Sequence, residues 1–235
     1  MIIPIADDNR RRRTFPWLTY ALVAANVAIF VVLVRADPAR QAELMDRYAT
    51  VPANVLHGGP SAWLTLLTCT FLHASWVHLG GNMLFLWVFG DNVEDALGHV
   101  RYLVFYLLCG GIASLAQVLL TPTGTTPLVG ASGAIAGVLA AYVVLFPRGM
   151  VRTIIVILPP FFIWPLLPAW LLIGAWFGLQ FWSVLQSLGA LSAGGVAYWA
   201  HVGGFVVGLL LARPLARRGG VDHRMAAVQQ RRVRA

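Results

Sequence analysis

From Trp17 to Val34 the chain carries no charged side chain. As a helix this run is about 27 Å long, close to the thickness of the hydrocarbon core of a bilayer. Further apolar runs follow, from Val77 to about Gly90, Arg101 to Leu120, Ser132 to Phe146, Leu166 to Leu188 and Val196 to Ala212. Read as helices, they give an all-α polytopic membrane protein with six transmembrane helices. A long interfacial loop, residues 36–76, joins the first two. Composition agrees: 11% of the residues are charged and 59% hydrophobic, against about 25% charged in soluble domains.

All 17 cations are arginine, and the formal net charge is +8. Such a balance would suit nucleic acid, but the arginines sit at the chain ends and between apolar runs, so no nucleic-acid partner is expected. They follow the positive-inside pattern instead. Six spans place Arg10 to Arg13, Arg101, Arg148, Arg152, Arg213, Arg217 and Arg218 on the same side as both chain ends, with Arg40 and Arg47 opposite. The expectation is a multi-pass protein of a bacterial cytoplasmic membrane with both termini cytosolic. Residues 1–15 are read as a basic cytosolic arm, 16–213 as the membrane domain, and 214–235 as an arginine-rich cytosolic tail, solvated or touching anionic lipid. A basic segment before an apolar one also fits a cleavable leader. However, the run is long for one, and Arg35-Ala36-Asp37-Pro38 is a poor cleavage site.

Within the first loop, Asp37 as cap and Pro38 at the first helical position predict a short helix through Tyr48. Trp63 to Leu72 is apolar but too short to cross, so it is placed in the interface or as a re-entrant segment. The stretch from Arg148 to Pro165, basic and broken by prolines, is read as a connection. Cys69 and Cys109 lack ligand spacing and are read as free structural thiols. No metal or cofactor is expected.

A polar side chain inside a span is expensive, so each one calls for a use. His78 and Asn82 stand four residues apart, on one face near the start of the second helix. Ser132 opens the fourth helix, and His201 lies about a turn and a half into the sixth. These three helices enter from the same non-cytosolic side, so the four polar groups share one depth. Gly133 and Gly137 on the fourth helix, and Ala200, Gly204 and Gly208 on the sixth, make small-xxx-small faces that admit close packing. Ser132 and His201 beside those faces are placed to act as nucleophile and base, or merely to tie two helices together. Ser132 alone also fits an ordinary N-cap. None of the 9 acidic residues falls near His201, so a Ser–His dyad is expected in place of a Ser-His-Asp triad, with His201 oriented by packing. His78, Asn82 and the Ser132 N–H are suited to donate to an oxyanion, or else serve as helix glue.

His78-x-x-x-Asn82, Gly130-Ala131-Ser132-Gly133 and Ala200-His201-x-x-Gly204-x-x-x-Gly208 resemble, in order, three motifs of the rhomboid family of intramembrane serine proteases. The similarity covers about residues 15–213. It implies a six-helix rhomboid-like bundle with Ser132 as nucleophile and His201 as general base. It also implies an oxyanion site of His78, Asn82 and the Ser132 N–H, with Gly130, Gly133 and Gly204 in support. His73 matches a histidine with a structural or water-organising role, and Gln117, late in helix three, helps hold water. The turn from Phe89 to Glu94 matches a structural element. Two positions depart from the pattern. Trp63-Leu64 keeps at most the tryptophan of the family's Trp-Arg pair, and Ala136 stands where many members pack an aromatic on the catalytic histidine.

The expected activity is endoproteolysis in or next to the transmembrane segments of membrane-protein substrates, in a wet cavity open to the non-cytosolic side. Helix-weakening and small residues would suit the cleaved segment. Trp170, Trp176, Phe177 and Trp182 in helix five are read as a movable wall for substrate entry or as lipid-facing aromatics, and Gly189 to Gly195 as a lid. The oligomeric state is left open. The rivals are a non-cutting binder of transmembrane segments and a transporter. The pairing of Ser132 with His201 argues against the first, and the lack of a repeat or midplane acid against the second.

Overall fold

The computed structural model describes residues 2–7, 12–158, 161–187 and 197–217. Helix α1 (Trp17–Arg35) follows Pro16 and stops where Ala36 turns extended. Asp37 then accepts from Arg40 N at 3.0 Å and opens α2 (Pro38–Tyr48), the short helix that the Asp-Pro pair predicts. The rest of the first loop is helical too: α3 (Pro52–Val55), α4 (Pro60–Thr68) and a single 3₁₀ turn, Cys69–Phe71. The long helices α5 (Trp76–Leu97) and α6 (His99–Leu120) meet at Gly98, whose φ is +85°. A central α7 (Ser132–Leu145) follows, then α8 (Ala169–Ser187) and α9 (Tyr198–Leu215). Both α1 and α6 are long and apolar enough to cross a bilayer, with mean hydropathies of 2.2 and 2.1.

The protein is not all-α. The supposed connection after α7 folds as β2 (Met150–Leu158), β3 (Phe161–Ile163) and β4 (Leu166–Pro168), while the N-terminal arm supplies β1 (Ile2–Asp7). β2 is central: β1 pairs antiparallel along one edge, from Ile2↔Ile155 to Asp7↔Val151, and β3 and β4 share the other. The physical reason lies in Val151-Arg152-Thr153-Ile154-Ile155-Val156-Ile157, a nearly continuous β-branched run that favours an extended backbone. Prolines around it deflect the reading towards loop. β4 also takes the residues from Leu166, so α8 starts later than expected, at Ala169. Asp7 at the end of β1 accepts hydrogen bonds from Tyr142 Oη at 2.8 Å and from Asn92 Nδ2. Burial, and then the charge of Asp91, pushes its carboxyl up to about 7.

The second helix does not stop near Gly90: residues 89–94, expected as a turn, are helical, and Asp91, Glu94 and Asp95 lie in the last two turns of α5. There Glu94, 0% exposed, caps α1 from a distance. Its carboxylate accepts from Leu18 N at 3.0 Å, from Thr19 N and Oγ1 at 2.7 Å each, and pairs with His99 Nδ1 at 2.5 Å. Pro16, the residue at the N-cap position, offers no side-chain bond of its own, so a remote carboxylate satisfies the orphan N–H groups and complements the helix dipole. Asp95 does the same for the approach to the helix, accepting from Arg13 N, Thr14 N and Thr14 Oγ1. Glu94→Ala is therefore expected to lower stability by about 3 kcal/mol, because it leaves several buried donors unpaired. Thermal unfolding in detergent reads this directly, and an unchanged midpoint would refute the capping role.

Around α7 the packing is close to backbone on backbone. A Cβ placed on Gly204 would lie 2.9 Å from the Gly133 carbonyl carbon, and on Gly208 2.6 Å from Gly137 Cα. Side chains larger than hydrogen have no room there, which is the small-xxx-small contact that the sequence suggests. Cys109 fills the other side of Gly137, and both cysteines are free and buried.

Candidate active site

Ser132 is the first residue of α7, preceded by Ala131 in a helical conformation, and no side chain caps that helix end. Its hydroxyl is thus not an N-cap. The turn before it depends on Gly130, whose φ of +121° lies in the region that favours glycine. Space demands glycine as well: a Cβ there would sit 2.7 Å from the His78 ring and 3.4 Å from Asn82 Nδ2. Gly130 N donates to Cys69 O at 2.9 Å, and Thr50 and Leu128 exchange backbone bonds. The loop carrying the serine is thereby stitched to the 3₁₀ turn and to the loop helices.

Ser132 Oγ lies 2.7 Å from His201 Nε2. The close α7–α9 contact sets this distance, since Gly133 follows Ser132 directly and Gly204 lies about one turn after His201. His201 sits in the first turn of α9, not a turn and a half in, because that helix begins at Tyr198. Its ring is oriented by more than packing. Nδ1 is 2.8 Å from Gln180 Oε1 on α8, and the Trp176 ring, one turn earlier, packs with its centroid 5.6 Å away. Trp176 thus supplies the aromatic that Ala136 does not.

On the opposite wall, Ser75 Oγ accepts from His78 N at 3.1 Å and fixes the start of α5. Asn82 Nδ2 lies 2.9 Å from His73 Nε2. A carboxamide nitrogen only donates, so the ring nitrogen accepts and one amide hydrogen stays available. His73 is 1% exposed and stands edge-on to His78, so it holds both members of the predicted oxyanion pair. The backbone N–H of Ser132, at the first position of a helix, has no intrahelical acceptor. The His78 ring and Asn82 Nδ2 lie beside Gly130, two residues before the serine. Gln117 accepts from Ala200 N at 3.3 Å and donates to Thr121 Oγ1 at 3.2 Å, which ties the start of α9 to the end of α6.

Sequence reasoning missed Gln180. Its signal was present: between Ala169 and Trp182 it is the one side chain carrying an amide, hydroxyl or charge, and the rule that singled out His78, Asn82, Ser132 and His201 applies to it equally. Trp170 and Trp182 are exposed, whereas Trp176 and Phe177 turn inward. The wall that the sequence reads as uniform has two faces. The Gly189 to Gly195 loop lies outside the described residues.

Residues 60–218 match the Rhomboid domain. The chain is 35% identical to "Rhomboid protease GluP" of Bacillus subtilis over 142 residues, 59% of this chain and 27% of that protein. It is 35% identical to the human "Presenilin-associated rhomboid-like protein, mitochondrial" over 142 residues, 60% of this chain and 35% of the relative. "RHOMBOID-like protein 4" of Arabidopsis thaliana is 30% identical over 227 residues, 85% of this chain and 52% of the relative. The chain thus spans between 27% and 52% of the length of these relatives.

Proposed function

Because this chain belongs to the rhomboid family, we propose that it is an intramembrane serine endopeptidase that cuts membrane proteins in or next to their transmembrane segments. It is a helical, polytopic membrane protein. In our reading α1, α5, α6, α7, α8 and α9 are the six spans, both chain ends share the arginine-rich side, and residues 16–213 form the catalytic domain. The observation that carries the activity is the 2.7 Å approach of Ser132 Oγ to His201 Nε2. The relative from Bacillus subtilis, named a rhomboid protease, supports it.

The chemistry follows from the groups in place. Neutral His201 takes the Ser132 hydroxyl proton on Nε2 as Oγ attacks the scissile carbonyl carbon. The developing oxyanion is met by the Ser132 N–H, Asn82 Nδ2 and the His78 ring. His201 then returns the proton to the leaving amine. Water, deprotonated in the same way, hydrolyses the acyl-enzyme. With 14 residues, α7 is about 21 Å long and shorter than the hydrocarbon core. Its serine end is therefore sunk below the non-cytosolic surface, within reach of water from that side. An intact substrate helix hides its carbonyls in i→i−4 bonds. Cleavage thus favours segments with weak helix formers and small side chains.

The test is covalent labelling of purified protein by a fluorophosphonate. Labelling that disappears in both Ser132→Ala and His201→Ala supports the protease. No labelling of the folded parent protein overturns it in favour of a non-cutting binder of transmembrane segments.

A further inference from the structure

Helix α8 touches the bundle along a single stripe. Ile173, 1% exposed, packs in the core with Trp176 and Phe177 beside it; Phe177 stacks on Phe205 with centroids 4.1 Å apart, and Gln180 reaches His201. These positions are i, i+3, i+4 and i+7, one face of a helix. Away from the stripe, Gly174 and Gly178 meet no atom of the described residues within 4 Å of an added Cβ, and Leu171 and Trp182 are exposed. Among the described side chains of α8, residues 169–182, the stripe carries one amide, that of Gln180, and that group meets the base.

A neutral imidazole carries one N–H, and a base towards Ser132 needs the lone pair on Nε2, so the hydrogen belongs on Nδ1. We propose that Gln180 is a positioning residue: its amide oxygen accepts the Nδ1–H of His201 and so holds the imidazole in the tautomer that is basic towards Ser132. The proposal rests on the protease reading above and deepens it. It fills the place that a carboxylate takes in a Ser-His-Asp triad, with a neutral acceptor on a different helix. Without that acceptor, a buried Nδ1–H is left unpaired and the other tautomer, donating to Ser132 Oγ, gains population. Trp176, one turn away, packs against the same ring with its plane tilted by 46°. The base is consequently set only while α8 is seated against α9.

Two substitutions in the full chain test this. Gln180→Met keeps the length and loses the acceptor. It is expected to lower kcat for a single-span substrate about 10- to 100-fold, with KM within twofold, and to lower the unfolding midpoint by no more than one unpaired buried donor accounts for. Gln180→Glu restores the acceptor and adds a charge beside the imidazole, so kcat recovers and the acid limb of the pH–rate profile moves to higher pH. A merely structural glutamine would not move that limb. A Met variant with parental kcat overturns the assignment, and so does a Glu variant with an unshifted acid limb. Both results are read in a parent protein that still cleaves and whose Ser132→Ala form does not, so the assignment fails there while the protease reading stands. A parent that neither cleaves nor takes the fluorophosphonate overturns the protease reading, and this assignment with it.

Discussion

Alanine at either Ser132 or His201 is expected to lower kcat for a single-span substrate by about 10⁴- to 10⁶-fold, and alanine at both to cost no more than one alone. The two side chains act on one proton across a 2.7 Å gap. Once either is missing, the other has nothing to activate or to receive from. The residual rate comes from the oxyanion donors and from substrate positioning, neither of which these substitutions touch. Steady-state cleavage in proteoliposomes, with the double variant alongside, checks it. Independent, multiplicative losses would show that serine and histidine do not work as a unit.

Gly204→Val is the second large effect. An added Cβ at this position meets backbone, with Gly133 C at 2.9 Å and Gly133 Cα at 3.3 Å, so no rotamer change relieves it. The helices must part, and the parting falls beside both Ser132 and His201. A displacement near 1 Å at reacting atoms costs about 100-fold in rate, and overpacking costs roughly 1–3 kcal/mol in stability. The expected result is a fall in both cleavage and unfolding midpoint. Gly174→Ala and Gly178→Ala on α8, where nothing lies within 4 Å, are the controls and leave both readouts near parental values. A fully active Gly204→Val protein would refute the close-contact account.

Much of this arrangement is legible in residue order because it depends on local rules. Asp37 caps α2 as the Asp-Pro pair predicts, and glycines four apart on α7 and α9 mark the faces that meet. The misses have a common cause: they depend on partners far away in the chain. The β2 run finds its edge partner in Ile2–Asp7, more than 140 residues earlier in numbering, and no local pattern announces that pairing. Residues 89–94 read as a turn, and nothing near them in sequence tells that Glu94 serves Leu18 and Thr19. Gln180 is different, because a polar side chain in an apolar run is visible in one dimension; only its target needs three.

The remote cap on α1 also constrains the order of assembly. Thr19 and the carboxylate that serves it are separated by 75 residues, roughly 4–15 s of synthesis at 5–20 residues per second. Throughout that interval the amides of the opening turn of the first helix lack the carboxylate that holds them in the folded protein. Completion of the second long helix therefore acts as a clasp closing behind the first, and a nascent chain stalled between them retains an unlatched amino-terminal span.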